Sequence, residues 1–145
     1  MSNRILSYQG SMADDTMETI LLSTKKGEVG YKIIELKLIG EDPATVEQES
    51  VVKVYTANPG GNTTTIDFSD NTIIAAGEYV SFGNAVYYGG FKELIITNKI
   101  INQDIYITHK NPQGKACNYY LELEVLKLDE SQAMVATLRD IRNNS

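Results

Sequence analysis

The stretch Cys117-Asn118-Tyr119-Tyr120-Leu121-Glu122-Leu123-Glu124-Val125-Leu126-Lys127-Leu128 decides the fold class. Tyr119, Leu121, Leu123 and Val125 point one way, and Glu122 and Glu124 point the other. Side chains reverse direction at every residue of a strand, so this period of two predicts a strand with one buried face. The alternation recurs upstream. In Tyr31–Leu38, Ile34, Leu36 and Leu38 share a face opposite Glu35 and Lys37. Ile105 and Ile107 alternate with Asp104, Tyr106 and Thr108 in the same way. A slip of one residue would turn each set over. The pattern therefore predicts Ile34, Leu36, Ile66, Ile105, Ile107, Leu121, Leu123 and Val125 buried, and Glu35, Lys37, Glu122 and Glu124 exposed.

Outward from these stretches, short apolar runs alternate with turn signals. Strands are expected over Arg4–Gln9, Glu18–Thr24, Tyr31–Ile39, Val51–Ala57, Thr63–Phe68, Glu78–Phe82, Phe91–Thr97, Asp104–Lys110 and Asn118–Leu128. Gly40-Glu41-Asp42-Pro43, Asn58-Pro59-Gly60-Gly61-Asn62, Gly89-Gly90 and Asn111-Pro112-Gln113-Gly114 lie between them. Gly supplies positive φ and Pro a preset φ, which is what reversing the chain requires. The fold class read from this is all-β: one antiparallel two-sheet β-sandwich, jelly-roll-like, over residues 1–145. Asp129-Glu130-Ser131-Gln132 resembles a capping box, and Met134, Leu138 and Ile141 recur at helical spacing, so a short C-terminal helix is expected. A final strand over Met134–Ile141 is the alternative. Asp70–Gly77 is read as a single helical turn closed by Gly77.

Composition narrows the function classes. At 145 residues the chain suits one domain, able to bury roughly two-thirds of its unfolded surface. Hydrophobic residues at 42% and charged residues at 22% fit a globular protein and not a disordered one. No apolar run reaches the roughly 20 residues of a membrane helix. Neither does the N-terminus have the basic-then-apolar layout of a secretory signal, so synthesis in a cytoplasm is expected. Thirteen Lys and Arg against nineteen Asp and Glu, a net charge of −6, argue against a surface packed on nucleic acid. Cys117 is the only cysteine, so the fold stands without an intrachain disulfide.

Side chains able to do chemistry are few. His109 is the only histidine and shares a strand face with Ile105 and Ile107, at the strand's end. A Ser-His or Cys-His site needs that imidazole plus an orienting carboxylate, and no nucleophile-elbow spacing is present. A satisfied core or rim histidine and a small buried thiol at Cys117 are the expectations. Glu122 and Glu124 lie on one face about 7 Å apart, a spacing that paired-carboxylate glycosidases use and that a solvated strand face also produces. Asp67, Asp70 and Asn71 offer oxygens without the spacing of a calcium loop, so Asp70 reads as a turn or cap residue. Gly60-Gly61 and Gly89-Gly90 are too short to cradle a phosphate. The chain is expected to be no enzyme, with no cofactor and no metal.

A family resemblance adds a setting. Asp104-Ile105-Tyr106-Ile107-Thr108-His109, then Asn118-Tyr119-Tyr120-Leu121-Glu122-Leu123-Glu124-Val125, then Val135-Ala136-Thr137-Leu138-Arg139-Asp140-Ile141-Arg142-Asn143 resemble the closing segments of short virion structural proteins of marine tailed bacteriophages. Arg4-Ile5-Leu6-Ser7-Tyr8, Gly27-Glu28-Val29-Gly30-Tyr31 and Phe68-Ser69-Asp70-Asn71-Thr72 are similar to the same pattern. The resemblance implies a capsid-associated, decoration-type protein, made in the host cytoplasm and bound to the major capsid protein or other virion proteins. A homo-oligomer is expected, a trimer among the options, and the acidic charge suits the exterior of a head. A tail, collar or fibre-attachment component and a glycan-binding module are the alternatives. Tyr79, Tyr87, Tyr88 and Phe91 in the charge-poor stretch, with Ile5, Leu138 and Ile141 near the two ends, are the expected contact residues. Tyrosine buries much area while its hydroxyl stays paired.

Overall fold

A computed structural model of the protein describes residues 4–22, 28–43, 47–82 and 91–127. Eight strands account for most of them: β1 Arg4–Met12, β2 Thr16–Ile20, β3 Val29–Gly40, β4 Glu47–Tyr55, β5 Ile73–Phe82, β6 Phe91–Ile96, β7 Ile105–Lys110 and β8 Cys117–Lys127. They form two antiparallel sheets, one of three strands in the order β1-β8-β3 and one of five in the order β2-β7-β4-β5-β6. The fold is an all-β sandwich. Its strand order is that of a jelly roll in which β6 stays hydrogen-bonded to β5 while also lying against β3. The expected C-terminal helix, with Leu138 and Ile141, lies outside the described residues.

One core fills the space between the sheets. Leu121 and Leu123 of β8, Leu36 and Leu38 of β3, Val52 and Val54 of β4 and Ile105 and Ile107 of β7 are all buried in a single cluster. Burying each such side chain contributes roughly 1.5–3 kcal/mol, which is why the period of two survives in the structure. The chain changes sheets at Ala13–Asp15, where β1 passes into β2. Asp15 takes φ of 60° there, a left-handed conformation that Asp tolerates better than most residues. Gly77 of β5 lies directly under Leu38 of the facing sheet. A methyl group in place of its hydrogen would run into Leu94 and Leu38.

Four expectations are corrected. Ile34 is 39% exposed, and Ile33 is buried instead. A bulge between Ile33 and Glu35 inserts one residue against β8, so the burial pattern shifts by one beside it. Thr63–Phe68 is no strand. Both sides of β4 are occupied by β7 and β5, so the segment lies over the outer face of the five-stranded sheet, where Ile66 packs half-buried against Tyr55, Ile73 and Ala76. Asp70–Gly77 is no helical turn: turns over 68–72 lead directly into β5 at Ile73. Glu35, Glu122 and Glu124 are half-buried, because the sheet's outer face carries neighbouring side chains that partly cover one another, and Val125, on the inner face, packs half-buried against the core.

Candidate functional site

The chemistry-bearing side chains converge at one end of the sandwich. β4 runs into the interior with Gln48, Ser50, Val52 and Val54 on its inner face. β7 ends beside it, with His109 opposite Val52 in the register and Asn111 just beyond. Cys117 opens β8 at the same end, opposite Met12 of β1 and Gly40 of β3. Gln48, Ser50, His109, Asn111 and Cys117 are all at most 1% exposed.

Ser50 Oγ is the hub. Gln48 Nε2 donates to it at 2.7 Å and Asn111 Nδ2 at 2.9 Å, and His109 Nε2 lies 3.0 Å away. His109 Nδ1 is 3.0 Å from the carbonyl of Ala13, which can only accept, so the network assigns the proton to Nδ1. Nε2 is then the acceptor for the Ser50 hydroxyl. Ser50 thus gives one hydrogen bond and takes two, its full capacity. The network reaches further. Asn111 Oδ1 accepts from Gln113 N at 2.7 Å, Asn111 N donates to Asp14 Oδ1 at 2.6 Å, and Gln48 Nε2 also reaches the Ala116 carbonyl at 3.4 Å. Cys117 Sγ lies near the carbonyls of Ile39 and Asn118, and burial pushes its thiol up to about 11.

A serine bonded to a histidine is the front half of a nucleophilic site, yet here the second half is missing. Nδ1 is oriented by a backbone carbonyl where a catalytic base uses a carboxylate. The Ser50 hydroxyl is fully buried, as are the side chains bonded to it. The Cys117 thiol is held far from the thiolate that makes cysteine a nucleophile. What the arrangement does is close the end of the core. It binds the β1–β2 corner through Ala13 and Asp14 and the β7–β8 turn through Ala116 and Gln113. His109 and Cys117 were legible as interior residues. Gln48, Ser50 and Asn111 were missed, although Gln48 and Ser50 share the parity of Val52 and Val54, a signal that extends the buried face onto polar residues.

The other expected groups do not gather into a site. Glu122 Oε1 accepts the Tyr120 hydroxyl at 2.6 Å on the outer face of the three-stranded sheet, and that bond raises the tyrosine's pKa. Asp67 Oδ1 takes Ser69 N and Oγ, and Asp70 Oδ1 takes Thr72 N and Oγ1. These are two successive turns in which a carboxylate bonds the backbone two residues on, and the Ser69 bonds hold Asp67 below the usual carboxylate range. Among the described residues no three His, Cys, Asp or Glu converge as metal ligands. Of the expected contact residues, Ile5 is 47% exposed on β1, and Tyr79 is half-buried against the core. Phe91 opens β6, its side chain outside the described set, as are Tyr87 and Tyr88.

The exposed feature that sequence reasoning missed is a cleft of about 570 Å³ across the outer face of the three-stranded sheet. Gln9 and Ser11 of β1, Asn118 and Tyr120 of β8 and Lys37 and Ile39 of β3 line it, with Lys92 of β6 at its edge. These residues sit opposite one another in the register, with Tyr120 between Gln9 and Lys37 and Asn118 between Ser11 and Ile39.

No family model matches the chain, and no curated protein matches its sequence. Among solved structures it is similar to PliG, a periplasmic inhibitor of g-type lysozyme from Aeromonas hydrophila, at 12% identity and a TM-score of 0.33 over 86% of this chain and 88% of that one. It is also similar to the Bacillus endospore appendages that form disulfide-linked pili, at 8% identity and a TM-score of 0.36 over 89% and 93%. At these scores neither likeness carries an argument.

Proposed function

We propose that this chain is a non-enzymatic structural protein of a tailed-phage virion, bound to the major capsid protein on the outside of the head as a decoration protein. The observation that carries the non-enzymatic part is the Ser50 hub. The serine, histidine and cysteine that could do nucleophilic chemistry are consumed in interior hydrogen bonds. The virion setting is supported by the sequence resemblance, and the exterior position by the net charge of −6. Quantitative mass spectrometry of purified particles tests it. A decoration protein is present in numbers comparable to the major capsid subunit. A ring-sized copy number would move the chain to the tail or collar, and absence from the particle would overturn the virion reading.

One observation favours a second reading, a glycan-binding module. The cleft presents the Gln9 and Asn118 carboxamides, neither holding a side-chain hydrogen bond within the described protein, beside the Tyr120 ring, which Glu122 fixes in place. Carboxamides bond sugar hydroxyls, and an aromatic face stacks on a sugar ring. Saturable binding of oligosaccharides, lost in Tyr120→Ala, would establish this reading; an array without any binder would dismiss it.

A further inference from the structure

Open strand edges invite another strand, and proteins guard them with charge, bulges, brevity or a covering loop. Three of the four sheet edges here are guarded. β3 carries a bulge, the charges of Lys32, Glu35 and Lys37, and a bridge in which Tyr31 and Ile101 exchange backbone hydrogen bonds of 2.6 and 2.8 Å. β6 places Lys92 and Glu93 within six residues, and β2 is only five residues long. β1 has none of these devices. Its nine residues pair with β8 without a register shift, contain no proline, and bear a single charge, Arg4, at the very start. Among the described residues nothing pairs with its other edge.

We propose that β1 is a self-association edge, on which a second copy of this chain adds its own β1 antiparallel, about a two-fold axis near Ser7. That register sets Leu6 opposite the copy's Tyr8 on the inner face, completing cover over two side chains that a lone molecule leaves half-buried against its core. The outer face meets as Ile5, Ser7 and Gln9, all uncharged, so no like charges oppose one another. Arg4 falls opposite Gly10 of the copy. Gly10 lies against the Tyr119 ring, whose hydroxyl donates to Glu18 Oε2 at 2.6 Å, and Glu18 has no cation partner among the described residues. Arg4 likewise has no carboxylate partner. The two-fold pairs each Arg4 with the other copy's Glu18. With one unguarded edge among the described strands, the contact closes as a dimer and does not run on into a fibre. The inference stands on the edge itself and is independent of the virion reading.

Sedimentation of the full chain across concentration tests it. A two-strand contact is small, so a dissociation constant on the order of 100 μM is expected. Arg4→Glu should weaken association about tenfold, Arg4→Gln should fall between it and the native chain, and Arg4→Glu with Glu18→Arg should recover most of the loss. A chain that stays monomeric into the millimolar range overturns the proposal, as does a dimer indifferent to Arg4→Glu. A monomer whose β1 amides are nonetheless protected from exchange would assign the edge to another strand and overturn it too.

Discussion

Ser50 and Lys53 stand close together on β4, both buried, but they face opposite sides of the five-stranded sheet. Ser50 points between the sheets, where only other side chains and loop carbonyls can satisfy it, and three interior side chains bond to it. Lys53 points outward, beneath the segment that covers that face. Its ammonium donates to Thr63 Oγ1 at 3.0 Å and to the Thr65 carbonyl at 2.7 Å, while its charge lies 5.6 Å from the Tyr55 ring centre. The long stem lets the charge reach a loop backbone that would otherwise have no sheet partner. A short hydroxyl inside therefore organises the core's end, and a long amine outside fastens a loop. Buried polarity on this strand is structural on both faces, by different means.

Three experiments press on that contrast. The largest effect belongs to Ser50→Ala. It leaves Asn111 Nδ2 and His109 Nε2 without their shared partner in the interior and should cost about 3 kcal/mol in chemical denaturation. A loss below about 1 kcal/mol would mean the hub is replaceable and the contrast is wrong.

The second effect is alkaline. Cys117 titrates at 9.0 when unperturbed and at about 11 in the fold, so the folded state holds its proton where the unfolded chain releases it. The associated stability is intact below pH 9 and falls as pH rises toward 11, by on the order of 2 kcal/mol. Tyr119, raised by burial and by Glu18, adds to the decline above pH 10, its unperturbed value. Urea unfolding at pH 8 and pH 10.5 measures the slope, and Cys117→Ala should flatten its thiol part.

The smallest effect is on the outer side. Lys53→Met keeps the stem's packing and removes the ammonium, and should cost roughly 1 kcal/mol. Hydrogen exchange should quicken over residues 56–72 and stay unchanged in β7 and β8. Equal loosening of both sheets would remove the distinction between the two faces.

The same contrast explains what could be read from sequence. β7 and β8 were legible because each buries one apolar face, which leaves a period of two in the residues themselves. The bulge at Ile34 was not, since an inserted residue shows only against its partner strand. Thr63–Phe68 carries strand-forming residues, and its fate was decided by β5 and β7 already flanking β4. The Ser50 hub was hidden for another reason: its members are polar, scattered from Gln48 to Cys117, and brought together only by the β4–β7 register and the start of β8. Turn chemistry at Asp70 was correctly weighed as a turn, whereas Ile73–Gly77, apolar on both faces, lacks the alternation that would have marked the start of β5.

The account rests most on the hub being sealed inside the fold, and the single cysteine at its rim makes that directly measurable. Thiol labelling of the native chain at pH 8 should proceed only as fast as the protein opens, with full labelling on adding denaturant. Rapid stoichiometric labelling of Cys117 in the native state would place the Ser50–His109 pair within reach of solvent and contradict the structural role given to it here.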